Sequence, residues 1–375
     1  MQVPFVDLKR AYSPVVDVFL EDVKSLLDKG DFVYSPRIKK FEEEAAAYLN
    51  VSKSFCVSSG TSALEVAFRA IELKPYDKVL VPANSFIATA FAVSNVGGIP
   101  IFMDVDSKTW NVTLDIVKEA IENNGKIAAV AVVHLFGRPI DKLKDIYEYC
   151  NSKGIYLIED CAQAFGAKAD YKDAHVGTIG HIGAYSFYPA KNLGTIGNGG
   201  LVVSKNQFSD YIRKTRAYGE DTKYHSVIKG SNYNMSTIQA LYLSRMLPLV
   251  DDLNLVRRIS GELYIKLFKE YGLNEHVSLP EASSRNVYHL FPIKVKTEEI
   301  RNKLKEHLSS KGIGVAIHYP IPIHKQGAYR EFNELSLPVT EELALTSLSL
   351  PMFAYISPQE IEYVVKSIVE FFEGK

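Results

Sequence analysis

Two residues of this chain combine the right types with a telling placement. Asp160 closes the apolar run Tyr156-Leu157-Ile158-Glu159, and Lys191 lies thirty-one residues later in the glycine-rich stretch PAKNLGTIGNGG. A carboxylate can keep a pyridine nitrogen protonated so that the ring takes up electrons, and an amine can hold an aldehyde as a Schiff base. Those are the two services pyridoxal phosphate (PLP) needs from a protein, and Asp160 and Lys191 are the candidates to supply them. Lys191 must be unprotonated to attack an aldehyde, a state that desolvation or a neighbouring cation promotes. A phosphate needs N–H donors and hydroxyls. Ser58-Ser59-Gly60-Thr61-Ser62 supplies them directly ahead of an apolar-periodic helix, where free amides and the helix dipole attract anions. An ordinary serine or threonine N-cap has the same pattern.

Three blocks carry these residues in order: EDCAQAFGA from Glu159 to Ala167, GTIGHIGAYSF from Gly177 to Phe187, and PAKNLG from Pro189 to Gly194. They resemble the DegT/DnrJ/EryC1/StrS family of sugar aminotransferases, which shares EDxAQAxGA, a GxxGxxGxxSF run and PxKNLG. The resemblance extends over nearly the whole chain. It implies an α/β fold-type-I architecture, with a mainly parallel seven-stranded sheet covered by helices on both faces, a smaller C-terminal α/β domain and a homodimer with shared active sites. It assigns Asp160 to the ring nitrogen, Gln163 to the ring's phenolic oxygen, Gly60, Thr61 and Ser186 to the phosphate, and Phe86, within PANSFIATAF, to stacking on the ring. Asn232 is assigned to the phosphate of the partner subunit's site and Lys223 to the substrate diphosphate. The chain departs from the family at Asn234, where an arginine is usual, so any salt bridge made by that arginine is lost. Some family members are dehydratases with histidine in place of the lysine; Lys191 favours transamination.

The segment from His318 to Gln326, HYPIPIHKQ, resembles the branch that aminates C3 of nucleotide-linked keto-sugars. The C4 branch has a shorter form without this first histidine. Tyr188, His318 and Tyr319 are then expected to hold the hexose and its diphosphate. His318 and His324 lack cysteine or acidic partners at ligand spacing, so no metal is expected. The expected reaction moves the amino group of glutamate to the 3-keto carbon of a dTDP-linked 3-keto-6-deoxyhexose. Its rivals are a UDP-linked 3-keto acceptor, a 4-keto acceptor, or a non-catalytic PLP-binding regulator, the last disfavoured by the Asp160/Lys191 pair.

The rest of the chain must position these groups. Its 375 residues allow two domains, expected at 1–245 and 246–375. Forty-three basic against forty-four acidic residues give no general attraction to nucleic acid or anionic membranes, so an anionic ligand must be caught locally. Cys56, Cys150 and Cys161 are too few for a disulfide framework and fit a reducing compartment, with Cys161 read as a small buried residue beneath the cofactor rather than a reactive thiol. The N-terminus shows no signal-peptide pattern, and the longest apolar run, Ile127–Val133, is too short to span a bilayer; a cytoplasmic protein is expected. Strands are expected at Lys53–Val57, Lys78–Val81, Ile99–Met103, Ile127–Val133, Ile155–Glu159, Ala184–Phe187 and Leu201–Ser204. Helices are expected at Pro36–Leu49, Thr61–Leu73, Ser85–Asn95, Leu114–Asn123 and Asp141–Asn151. This is the βαβ rhythm of a parallel sheet, whose ligands sit beyond the carboxyl ends of its strands. From Ser236 onward a helical stretch containing Pro248, strands at His289–Lys294 and Val315–His318 and a helix at Pro358–Phe372 are expected. The first thirty-five residues are expected to form an arm near the site or the smaller domain.

Overall fold

The computed structural model describes residues 1–374. Seven strands form its main sheet: β1 (Ser54–Val57), β2 (Lys78–Pro82), β3 (Ile99–Met103), β4 (Ala129–Val133), β5 (Tyr156–Asp160), β6 (Ile182–Ser186) and β7 (Gly200–Ser204). They lie in the order β1-β7-β6-β5-β4-β2-β3. The run from β6 to β3 is parallel, and β7 pairs antiparallel with both β6 and β1. Alternation along each strand divides the core into two layers. Val130 and Val132 of β4 enter one cluster while Ala129 and Ala131 enter the other, and β7 sends Leu201 and Val203 one way and Val202 the other. With both faces covered by apolar packing, the strands read as continuous hydrophobic runs.

Strand positions agree with the sequence reading to within one or two residues. The second sheet departs from it further. Val315–His318 is not a strand; only Ala316 forms a bridge, to Ser349. Pro320 and Pro322 have no N–H with which to continue a ladder, and the chain leaves the sheet edge before them. The three-stranded sheet instead consists of Val277–Ser278, Phe291–Val295 and Ser347–Leu350, the last two antiparallel. Pro248 occupies a 3₁₀ turn, Leu247–Leu249, between the helices Thr237–Met246 and Val250–Glu270. The helix expected from Ser85 begins at Ala88, which leaves Phe86 in the turn beyond β2.

The N-terminal segment is helical over Leu8–Tyr12 and Val16–Lys29. Ahead of these helices, Val3 N–H donates to Gly312 O at 3.0 Å and Gly314 N–H to Val3 O at 2.8 Å, which joins the arm to the segment leading into His318. Arg10 makes two 2.8 Å hydrogen bonds to the carboxylate of Glu360, within the helix Pro358–Glu373. Among the described residues no helix is long and apolar enough to cross a membrane.

The Arg10 guanidinium, aided by the Ser357 cap, holds Glu360 far below the usual carboxylate range, at about 2. Since this folded value lies below the unfolded one, the pair stabilises the fold above about pH 4.5 and its contribution fades as pH falls toward 2. Glu360→Gln should therefore lose about 1 kcal/mol at pH 7, and the gap between its urea midpoint and that of wild type should narrow as pH is lowered from 7 to 3. A gap independent of pH would remove the ion pair as its cause.

Candidate active site

A cavity of about 400 Å³ opens beyond the carboxyl ends of β4, β5 and β6. Asp160 reaches it as the last residue of β5, and Lys191 from the loop that turns β6 back into antiparallel β7. The loop is held by Phe187 N–H to Gly199 O and Thr195 N–H to Phe187 O, both 2.8 Å, and the Tyr12 hydroxyl donates to Pro189 O. Lys191 is half-buried and lines the cavity. The surrounding protein desolvates its amine and lowers its pKa to about 8, with Asp160 opposing the shift. Burial pushes the Asp160 carboxyl upward, against hydrogen bonds from Ala162 N–H (3.0 Å) and the Thr89 hydroxyl (2.8 Å) and the nearby positive charge of Lys191. An anion and an amine of reduced basicity thus face one enclosed space.

The helix Gly60–Ala70 points its N-terminus at the same space. Ser59 caps it, accepting from Ser62 N–H at 3.0 Å, and its first-turn amides have no acceptor within the helix. A Cβ on Gly60 would lie 2.6 Å from Ser186 Cβ, so this approach of helix start to strand end requires glycine. Amides, Thr61 and Ser186 together form a cradle of the kind a phosphate fits.

Phe86, half exposed, stands in the cavity wall with its ring centroid 5.7 Å from that of Tyr319. Gln163 accepts a 2.6 Å hydrogen bond from Phe136 N–H and donates to the Tyr319 hydroxyl at 3.1 Å. His318 bonds Ser349 Oγ through Nδ1 at 3.0 Å and stacks on Phe5, centroids 5.6 Å apart. Tyr188 stands at the mouth. Ten of the twelve candidates from the sequence therefore meet at one cavity. Asn232 and Lys223 do not: both are exposed, Asn232 paired with Ala217 and Lys223 on the hairpin Glu220–Thr222/His225–Ser226. Asn234 donates to Asn232 Oδ1 at 3.1 Å and to the Tyr34 hydroxyl at 3.2 Å.

The sequence reading missed Thr89, His289 and Phe5. Thr89 follows Ser85 by one helical turn, a usable signal; His289 is the polar member of VYHLF; nothing in the sequence marks Phe5. Behind Asp160, the ligand atoms of His134, Glu159 and Cys161 lie within 4.8 Å of one another. The Glu159 carboxylate already accepts from the amides of Gly177, Ile179 and Gly180 and lies 3.1 Å from His134 Nε2, so it braces the loop entering β6.

Residues 16–369 match the DegT/DnrJ/EryC1/StrS aminotransferase family. The chain belongs to that family. Among its relatives, the UDP-N-acetyl-3-dehydro-alpha-D-glucosamine 3-aminotransferase of Acidithiobacillus ferrooxidans is 35% identical over 99% of this chain and 98% of its own. The dTDP-3-amino-3,4,6-trideoxy-alpha-D-glucose transaminase of Streptomyces venezuelae is 34% identical, covering 99% and 97%. Among solved structures, NtdA from Bacillus subtilis with bound cofactor PMP superposes with a TM-score of 0.90 at 29% identity, covering 99% of this chain and 85% of its own. This family member is accordingly a sugar aminotransferase.

All three cysteines are free and buried, and burial raises each thiol, Cys150 to about 12 and Cys56 and Cys161 well above their usual value. The native protein should resist Ellman's reagent at pH 8 and react at three sites once denatured. Fast native labelling of Cys161 would contradict its burial.

Proposed function

We propose that the chain is a PLP-dependent enzyme that transfers the amino group of glutamate to C3 of a dTDP-linked 3-keto-6-deoxyhexose. The observation that carries this reading is the convergence of Asp160, Lys191 and a helix N-terminus on one cavity. When bound, PLP supplies the aldehyde that carries the amino group and a ring that absorbs electrons. Lys191 would hold that aldehyde through Nζ and, once released from it, would carry the proton there. Asp160 would keep the ring nitrogen protonated and so favour the ring's electron uptake, and Gly60, Thr61 and Ser186 would hold the phosphate. Phe86 would cover the ring, and Gln163, whose Oε1 is occupied by the Phe136 amide and whose Nε2 already donates to Tyr319, has a second Nε2 hydrogen that would serve its phenolic oxygen. Tyr188, His318 and Tyr319 orient the sugar, and Lys223 meets its diphosphate.

Position C3 is supported by the HYPIPIH segment and by the 3-amino products or activities in both relatives' names. The relative that names UDP favours a second reading, a UDP-linked 3-keto acceptor. Asn232 acts across a homodimer, a reading supported by its exposure away from its own cavity. The division at 1–245 and 246–375 places the cofactor groups in the first part and His318 and Tyr319 in the second. Three free cysteines fit a cytoplasmic setting.

Purified protein loaded with PLP should show a visible absorbance band that glutamate bleaches and the correct keto-sugar restores. A panel of dTDP- and UDP-linked keto-sugars, with products read by NMR, should yield a 3-amino sugar; a 4-amino product overturns the C3 assignment. Lys191→Ala should remove the wild-type band and turnover, since no other amine replaces a nucleophile with an effective molarity on the order of 10⁵ M.

The shared site has its own test. Mixing Lys191→Ala chains with Asn232→Ala chains should restore activity, because one of the two sites in each heterodimer keeps both residues. No recovery in heterodimers verified by mass spectrometry, given an impaired Asn232→Ala homodimer, refutes it.

A further inference from the structure

His289 enters the cavity just ahead of the strand Phe291–Val295 and sets Nε2 3.5 Å from Lys191 Nζ. The ring is buried, and among the described residues its Nδ1 has no partner. Its backbone is tightly held. Val287 N–H donates to Gly137 O at 3.0 Å, Leu290 N–H to Phe136 O at 3.3 Å, and Tyr288 N–H to Asn286 Oδ1 at 2.8 Å. Gly137 has φ +90°, and a Cβ there would come within 2.8 Å of His289 N. The loop after β4 thus presses this histidine against the lysine. As mere packing, an apolar side chain would serve better, since a buried nitrogen without a partner is destabilising.

The charged and titratable groups around the ring come from separate elements: Lys191 from the loop after β6, Arg257 from the helix Val250–Glu270, and His318 from the extended segment before Pro320. Burial and these three groups all disfavour a cationic ring. Asp160 is the anion that acts on Lys191 itself.

We propose that His289 is a positioning residue for the reacting amine: its neutral ring accepts a hydrogen bond from Lys191 Nζ and holds the amino group when it is free of the cofactor and carries a proton. The proposal rests on reading Lys191 as the lysine that bears the cofactor and carries the proton. Without this acceptor, a protonated Nζ is drawn toward Asp160, which would weaken the carboxylate's hold on the ring nitrogen and carry the proton away from the reacting carbons.

The experiment compares wild type with His289→Leu, which removes the acceptor, and His289→Gln, which retains one. In the cofactor-free full chain, and again after loading with PMP, the rate of reductive methylation of Lys191 by formaldehyde and cyanoborohydride is followed against pH by mass spectrometry. A hydrogen bond that stabilises the ammonium raises its pKa, so the reactivity midpoint should fall by about one pH unit from the wild-type value in His289→Leu and stay near wild type in His289→Gln. An unchanged midpoint in His289→Leu with a lowered thermal midpoint makes the residue structural and overturns the proposal. If the leucine chain does not fold, His289→Met, which fills similar space without a strong acceptor, is read by the same criterion. Failure of the lysine assignment is separately visible, as turnover and a wild-type band retained by Lys191→Ala.

Discussion

Withdrawing a lysine and an aspartate from water into the same enclosed space is the constraint around which this molecule is arranged. Burial favours the neutral form of each, so Lys191 becomes less basic and Asp160 less acidic, while their mutual attraction opposes both shifts. The carboxylate is kept useful by specific donors, Thr89 and the Ala162 amide. Such donors have to be fixed, and the carboxyl edge of a parallel sheet fixes them: β5 delivers Asp160, the helix Ala88–Asn95 after β2 delivers Thr89, and the antiparallel return of β7 folds the Lys191 loop back over the same edge.

Local chemistry that leaves a pattern was legible in the sequence. The Ser-Ser-Gly-Thr-Ser run marks a helix start whichever ligand it binds, and the Asp160 and Lys191 blocks mark themselves by spacing. Contacts between distant segments left little trace. The strand Ser347–Leu350 is only four residues long and follows directly on a helix, whereas Val315–His318 looks β-branched but has a single bridge. What distinguishes them is the neighbour available at the sheet edge, a tertiary fact. Phe5 is illegible for the same reason: its role comes from the pairing of Val3 with Gly312 and Gly314, more than three hundred residues away.

That pairing gives the arm a function beyond covering the surface. Phe5 stacks on His318, and Arg10 fastens the following helix to Glu360, so the first ten residues brace the segment that carries His318 and Tyr319 from the outside. The Tyr12 hydroxyl extends the brace to Pro189, two residues before Lys191. One arm therefore touches both walls of the cavity.

Gln163 joins those walls from within. Its Oε1 accepts from Phe136 N–H, which fixes the amide's orientation and leaves Nε2 as the donor facing Tyr319 and the cavity. Burial raises the pKa of the Tyr319 phenol, so it remains a neutral hydroxyl that can accept from Gln163 and still donate its own proton. A residue assigned to the cofactor and one assigned to the sugar thus share a hydrogen bond. A shift of the segment around Tyr319 would change the donor presented by Gln163, and a change at Gln163 would move the phenol.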